Sequence, residues 1–283
     1  MSGFAARWLA LREPYDLRAR NAVVLDSVVG SLARRSRVDI VDLASGTGST
    51  LRALAPRLRS QQSWRLLDSD LDLLAHALST PAPSGVTLTT AAVDLNRDLE
   101  KILARKIDLL TASALLDLVS ESWLHRFVEE AARRSLPVYA ALSYNGQIEI
   151  RPADSVDEAI VTAVNAHQRG DKGFGPALGP LAASAAIARF ESLGFSVVHG
   201  KADWVIGPQD GEFQMETFRG WAHATKELDE LSSADVDEWL TRRRYAVAAQ
   251  CSSICVGHLD FFARPMGTRE ADRSQSSNTS SSS

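Results

Sequence analysis

Val38-Asp39-Ile40-Val41-Asp42-Leu43-Ala44-Ser45-Gly46-Thr47-Gly48-Ser49 is the stretch on which the fold turns. Its first half is short, β-branched and closed by small, turn-forming residues, the profile of a strand in a buried parallel sheet. Its second half puts Gly46 and Gly48 where backbone approaches a ligand most closely, ahead of a helical pattern over residues 50–59. A loop of this kind turns main-chain N–H groups and a helix N-terminus toward a ligand with no bulky Cβ between them.

Outward from this loop, strand and helix patterns alternate. Upstream, residues 16–35 repeat apolar side chains at helical spacing (Leu17, Val24, Leu25, Val28, Val29, Leu32) and predict one amphipathic helix packed on the strand. Downstream, a second apolar strand over 64–67 ends at Asp68, followed by helix 71–78, strand 86–91, helix 97–104, strand 107–111, helix 121–134 and strand 138–142. Five such units predict a doubly wound parallel sheet that binds ligands outside the carboxyl ends of its strands.

Asn145-Gly146 then predicts a hairpin extension to about residue 150. Helices over 156–167 and 180–193, the latter opening on Pro180 and stopping at Gly194, flank a Gly/Pro-rich loop at 170–179. Strands over 196–206 and 254–263 enclose helical stretches 212–228 and 234–250, an insertion at about 210–250 and a candidate lid. The expected organisation is an N-terminal helical segment (1–36), one α/β domain (37–265) and a Ser-rich tail (266–283). That tail cannot bury enough apolar surface to offset its ordering entropy and is expected to be disordered.

The 283 residues, 45% hydrophobic and 23% charged, have the composition of an ordinary globular chain. A formal net charge of -4 offers no general attraction to phosphate backbones, so nucleic acid is not favoured as a partner. Arg34-Arg35 and Arg242-Arg243-Arg244 read as helix ends and solvated faces, with an acidic substrate as the second reading of the latter run. Cys251 and Cys255 have no zinc-ligand spacing, and His76, His199, His223 and His258 form none either, so no metal site is expected. His125 reads as structural. No apolar run approaches about 18 residues and the N-terminus meets Arg12 and Glu13 early, which predicts a cytoplasmic protein with no membrane span.

Three acids end or follow strands. Asp42 suits an ammonium group or caps its own loop; Asp68 sits where adenosine-binding α/β folds place an acid for ribose hydroxyls, or else caps the next helix. Asp94 follows the third strand, again as a ligand group or a helix cap.

Residues 41–49 resemble the first motif of class I S-adenosylmethionine-dependent methyltransferases, acid-x-Gly-x-Gly-x-Gly, with Ala44 in the place of the first glycine. Motifs carry the resemblance over about residues 39–143. It implies a Rossmann-like, seven-stranded, mostly parallel sheet whose last strand lies antiparallel beside the fifth. It also implies S-adenosylmethionine as methyl donor, with S-adenosylhomocysteine as product. Asp42, with Ala44, Ser45, Gly46 and Gly48, would hold the methionine end; Asp68 and Ser69 the ribose; Asp94 and Leu95 the adenine. Thr111, Ala112 and Ser113 would line the pocket near the methyl group. Tyr15, Arg18 and Arg20 lie on a helix that in relatives often closes over the donor, where an Arg can pair its carboxylate, although a solvated face is the first reading.

Such transfer is an in-line displacement that needs alignment and no metal. The acceptor expected is a small molecule, and position nominates Asp117, Tyr144 and His167 as bases. Trp204, Phe213, Phe218, Trp221 and Trp239 read first as core and second as a roof over the acceptor. Two other functions stay open. A nicotinamide-dependent oxidoreductase shares the strand, loop and distant acid, but the loop lacks G-x-G-x-x-G spacing and Asp42 would repel phosphate. A non-catalytic S-adenosylmethionine-binding protein shares the whole donor site, because a pocket does not by itself establish turnover.

Overall fold

The computed structural model describes residues 6–266; the remainder of the Ser-rich tail, 267–283, lies outside the described residues. Chain order is α1 (Ala6–Ala19), α2 (Ala22–Leu32), β1 (Arg37–Leu43), α3 (Ser49–Leu54), β2 (Gln61–Asp68), α4 (Leu71–Ser79), β3 (Val86–Ala92), α5 (Leu95–Leu103) and β4 (Leu109–Ser113). Then follow α6 (Glu121–Arg133), β5 (Val138–Arg151), α7 (Asp157–Gln168), α8 (Ala182–Ser192), β6 (Phe195–Lys201), β7 (Trp204–Ile206), α9 (Gly211–Leu228), α10 (Ser233–Ala248) and β8 (Ser253–Pro265).

The sheet runs β3-β2-β1-β4-β5-β8-β6, with β7 paired to β8. Strands β1 to β5 are parallel, and β8 is antiparallel to both β5 and β6. This is the doubly wound, mostly parallel sheet with an antiparallel last strand that the sequence implies. Because the winding direction reverses between β1 and β4, the connections diverge there and leave a crevice at their carboxyl ends. Alternating side chains of the central strands feed two cores. Ile40, Leu66, Leu109 and Tyr139 meet α2, α3 and α4, and Leu43, Leu110 and Ala112 meet α5, α6 and α8.

The sheet has eight strands because the run expected as one strand over 196–206 breaks at Ala202-Asp203. There Asp203 accepts the His258 N–H (3.0 Å) while Ala202 donates to the His258 carbonyl, so both halves remain on β8.

Two further expectations are corrected. The single helix over 16–35 is two helices, because Asn21 is extended (φ -68°, ψ 118°) and caps α2 by accepting the Val24 N–H (3.1 Å). Leu17, counted in the apolar stripe, is consequently exposed on α1. The hairpin at Asn145-Gly146 does not form either. β5 continues to Arg151 through two bulges, with Gly146 at φ +87°, because β8 is long enough to keep pairing with it. An antiparallel ladder that resumes beyond each bulge outweighs a local turn signal.

The insertion buries its aromatics. Phe213, Phe218 and Trp239 are fully buried with Trp204, Tyr144 and Ile160 in a third core, so core packing was the correct first reading. Arg243, read as part of a solvated run, is itself buried: it pairs with Asp157, donates to the Pro152 carbonyl (2.6 Å) and lies by the rings of Phe218 and Trp239. Its neighbour Arg242 bonds Asp154 (2.6 Å). Among the described residues no helix is long and apolar enough to cross a membrane.

Asp260 of β8 ties the α1–α2 junction to the sheet. Its buried carboxylate accepts the Asn21 N–H (3.0 Å), the Leu142 N–H (2.8 Å) and the Tyr139 hydroxyl (3.3 Å). Asp260→Ala orphans three donors at once, two of them buried, and is expected to cost about 3 kcal/mol in urea unfolding, with an unchanged m-value.

Candidate functional site

At the end of β1, Asp42 is completely buried. Parallel pairing sets it opposite Thr111 of β4, whose hydroxyl donates to Asp42 Oδ1 (2.6 Å), while Oδ2 has no partner. Burial pushes the carboxyl up to about 7, against the pull of Thr111 and of the Arg20 guanidinium, with the Asp68 charge adding to the rise.

The loop beyond it is held open by backbone geometry. Ala44 (φ +48°), Gly46 (φ +53°) and Gly48 (φ +83°) are all left-handed. Ser45 N–H donates to the Leu67 carbonyl (2.9 Å), and Gly46 N–H donates to Asp68 Oδ2 (2.8 Å), which couples the loop to the end of β2. A Cβ at Gly48 would come within 3.2 Å of Leu66, so glycine here permits the close packing of loop on strand. Ser45 Oγ is buried without a partner. Asp68 also accepts the Asp70 N–H (3.0 Å), and it is Asp70, not Asp68, that caps α4.

Ser69 is exposed beside Asp68. Asp94 is exposed and caps α5 by accepting the Asn96 N–H (2.9 Å), whereas Leu95 turns into the α5–α6 core. Thr111 and Ser113 point to the Asp42 side of the sheet, and Ala112 to the opposite core.

Arg20, first read with Tyr15 and Arg18 as part of a solvated helix face, is buried at the α1–α2 break. Its terminal nitrogens reach the Tyr139 hydroxyl (3.2 Å) and Ser113 Oγ (3.2 Å), and its Nε donor has no partner. Asp42, Asp68, Thr111, Ser113 and Arg20 thus converge on the crevice. The detectable signal for Arg20 was Asn21, a helix-capping residue in the middle of an otherwise continuous apolar repeat.

Helix α1 covers the loop. A Cβ at Gly46 would lie 3.4 Å from Leu9, and Glu13 holds Arg52 (2.7 Å), which in turn bonds the Thr47 carbonyl. On its other flank Tyr15 stacks on Phe213 of α9 at 4.0 Å and donates to Asp210 (2.8 Å).

The three nominated bases separate. Asp117, in a single 3-10 turn after β4, is buried, and its Oδ1 is unpartnered. Burial raises it to about 6, moderated by its own N–H, by Arg12 and by the Tyr144 N–H. Tyr144 is not free to act as a base: its hydroxyl donates to Asn165 (2.9 Å), and burial with the nearby Asp117 charge holds its proton more firmly than usual. His167 is also displaced from this group, because its ring faces Glu227 of α9 (2.8 Å) and Lys172 (3.3 Å). No cluster of three or more metal-binding side chains occurs among the described residues.

Strain collects at the same edge. Ala44, Ala114 and Leu142, at the ends of β1 and β4 and in the first bulge of β5, are left-handed residues with side chains, each costing on the order of 1 kcal/mol.

No family model matches the chain, and no curated protein matches it. Solved structures do. A methyltransferase from Thiobacillus denitrificans in complex with S-adenosylhomocysteine aligns with a TM-score of 0.43 at 14% identity, over 92% of this chain and 99% of that one. A cyclopropane synthase from Mycobacterium tuberculosis aligns with a TM-score of 0.44 at 11% identity, over 85% and 82%. The YcgJ protein of Bacillus subtilis gives 0.46 at 13%, over 87% and 100%.

Two outcomes are expected of the free protein. Asp42 holds its proton more tightly folded than unfolded, so between pH 3.8 and about 7 the folded chain binds more protons and stability falls as pH rises. Asp42→Asn removes that burden, and its midpoint advantage over the parent in thermal scans should grow from pH 5 to pH 8, by about 2–4 °C per kcal/mol relieved. Ala44→Gly relaxes the left-handed position and should leave stability equal or raise it by up to about 1 kcal/mol.

Proposed function

We propose that this chain is a class I S-adenosylmethionine-dependent methyltransferase acting on a small molecule in the cytoplasm. The observation that carries this reading is a pair of buried, unpartnered groups of opposite polarity at the switch point, Asp42 Oδ2 and Arg20 Nε. The Arg20 guanidinium lies close enough to Asp42 to pull its carboxyl down against the effect of burial. An isolated buried acceptor or donor costs about 1–3 kcal/mol, more when charged, so a site that keeps one of each is complementary to a zwitterion. The methionine end of the donor, with its ammonium and carboxylate, is such a group.

The remaining residues fit in turn. Asp68 uses one lone pair on each oxygen for the Gly46 and Asp70 N–H groups, which orients the carboxylate and leaves both oxygens able to accept from ribose hydroxyls. Ser69 stands beside it. Ala44, Ser45, Gly46 and Gly48 shape the wall under the methionine end, and Ser45 Oγ is a further free partner. Asp94 offers an acceptor near the adenine position; Leu95, turned into the α5–α6 core, contributes only its backbone there, and at β4 Thr111 and Ser113 face the donor side with the Ala112 backbone between them.

When bound, the donor supplies an activated methyl group on a sulfonium. The chain's task is to hold, align and dry the site. Leu9 against Gly46 and the Glu13–Arg52–Thr47 link make α1 the cover that excludes water. Of the three nominated bases, Asp117 alone keeps a free oxygen at this edge.

A dinucleotide is disfavoured by more than spacing. The Gly46 N–H, which a phosphate would need, already serves Asp68, and Asp42 adds a second carboxylate beside it. The non-catalytic reading differs only in turnover.

Calorimetry provides the test. S-adenosylhomocysteine should bind the parent protein and NAD should not, and Asp42→Asn and Asp68→Ala should each weaken that binding by about tenfold or more. Absence of binding, or unchanged affinity in both variants, overturns the assignment. Turnover of labelled S-adenosylmethionine with a metabolite extract then separates an enzyme from a binding protein.

A further inference from the structure

Ten buried side-chain atoms lack a hydrogen-bond partner among the described residues, and five of them line one edge of the sheet: Arg20 Nε, Asp42 Oδ2, Ser45 Oγ, Asp117 Oδ1 and Ser143 Oγ. The first three belong to the donor site. Asp117 and Ser143 form a second group beside it. Both are at least nine-tenths buried, Asp117 in the turn that follows β4 and Ser143 on β5, the strand that pairs with β4.

Helix α1 spans both groups. Leu9 packs at Gly46, and Arg12, three residues on and so about 4.5 Å along the axis, lies within electrostatic reach of Asp117. Arg12 does not neutralise that acid by contact. Its Nε bonds Asp16 (2.9 Å), whose other oxygen accepts the Trp204 indole N–H (2.9 Å). Asp117 Oδ1 is therefore an acceptor left without a donor, in an interior that disfavours the carboxylate's charge.

We infer that Asp117 and Ser143 form the acceptor subsite and that it receives the protonated amine of a small molecule. The inference rests on the donor assignment above. An unpaired carboxylate oxygen requires a donor, and in a buried setting a cationic N–H compensates its charge where a neutral hydroxyl does not. Ser143 Oγ adds an acceptor for a second N–H of the same ammonium. Asp117 is also placed to take the proton that an amine must give up before its lone pair is available, a role a carboxylate fills better for an ammonium than for an aliphatic alcohol.

Benzylammonium and benzyl alcohol are matched probes. Titrated by calorimetry into the full chain saturated with S-adenosylhomocysteine, the ammonium should bind about tenfold or more tightly than the alcohol. Asp117→Asn should remove that preference and Ser143→Ala should reduce it, with S-adenosylhomocysteine affinity in both variants within about twofold of the parent. The ammonium affinity should also fall as pH drops through about 6 and Asp117 protonates. Of the other groups facing Asp117, Arg12 is held by Asp16, Tyr144 keeps its proton, and burial pushes His258 down to about 4, so it stays neutral across that window. Equal binding of alcohol and ammonium, or an Asp117→Asn variant that binds the ammonium as the parent does, overturns the subsite while leaving the donor site intact. Failure of S-adenosylhomocysteine to bind overturns both.

Discussion

A carboxylate buried at the end of the first strand organises this protein. Asp42 has one hydroxyl partner, one free oxygen and an arginine close by, in an interior that disfavours its charge. Packing alone offers no reason to keep such a group, because replacing buried ionic groups by apolar ones of similar size is often neutral or stabilising. The surrounding structure instead converges on it: Thr111 across the ladder, Arg20 from the helix junction and Asp68 through the loop.

Rigidity and strain divide along the sheet. Below the edge, two closed hydrophobic cores hold the parallel strands in register. At the edge itself, left-handed non-glycine residues at positions 44, 114 and 142 and five unsatisfied polar atoms persist together. Backbone strain survives only where its surroundings over-determine it, and here Asp260 supplies part of that constraint by bonding both Leu142 and Asn21. The same carboxylate positions the helix that covers the site, so fold and site share one anchor.

Much of the fold was legible in local pattern. Strand-to-helix alternation, the glycine loop and the terminal acids were readable because buried parallel strands are continuous apolar runs and close backbone approach demands small residues. The failures were instructive. Asn145-Gly146 has the composition of a hairpin turn, yet β5 pairs with β8 on both sides of it, up to Arg151, because pairing along the strand outweighs one turn. Residues 16–35 satisfy helical periodicity although Asn21 interrupts them, and Arg20, first read as solvated, is buried at the break that Asn21 makes. Arg243 looked like surface charge, and its burial depends on Asp157, a partner distant in sequence.

The amino-acid sequence by itself determined the alternating order of elements, the position of the glycine loop and the acids at the strand ends, since each depends on neighbours within a few residues. Tertiary structure alone decided which of those acids are left without partners. Asp68 is occupied by the backbone it orients, Asp94 by its own helix, and Tyr144 and His167 by side chains, while Asp42 and Asp117 keep a free oxygen each. The reason is physical: burial and hydrogen-bond satisfaction are properties of everything that surrounds a group, and most of what surrounds these two arrives from elsewhere in the chain.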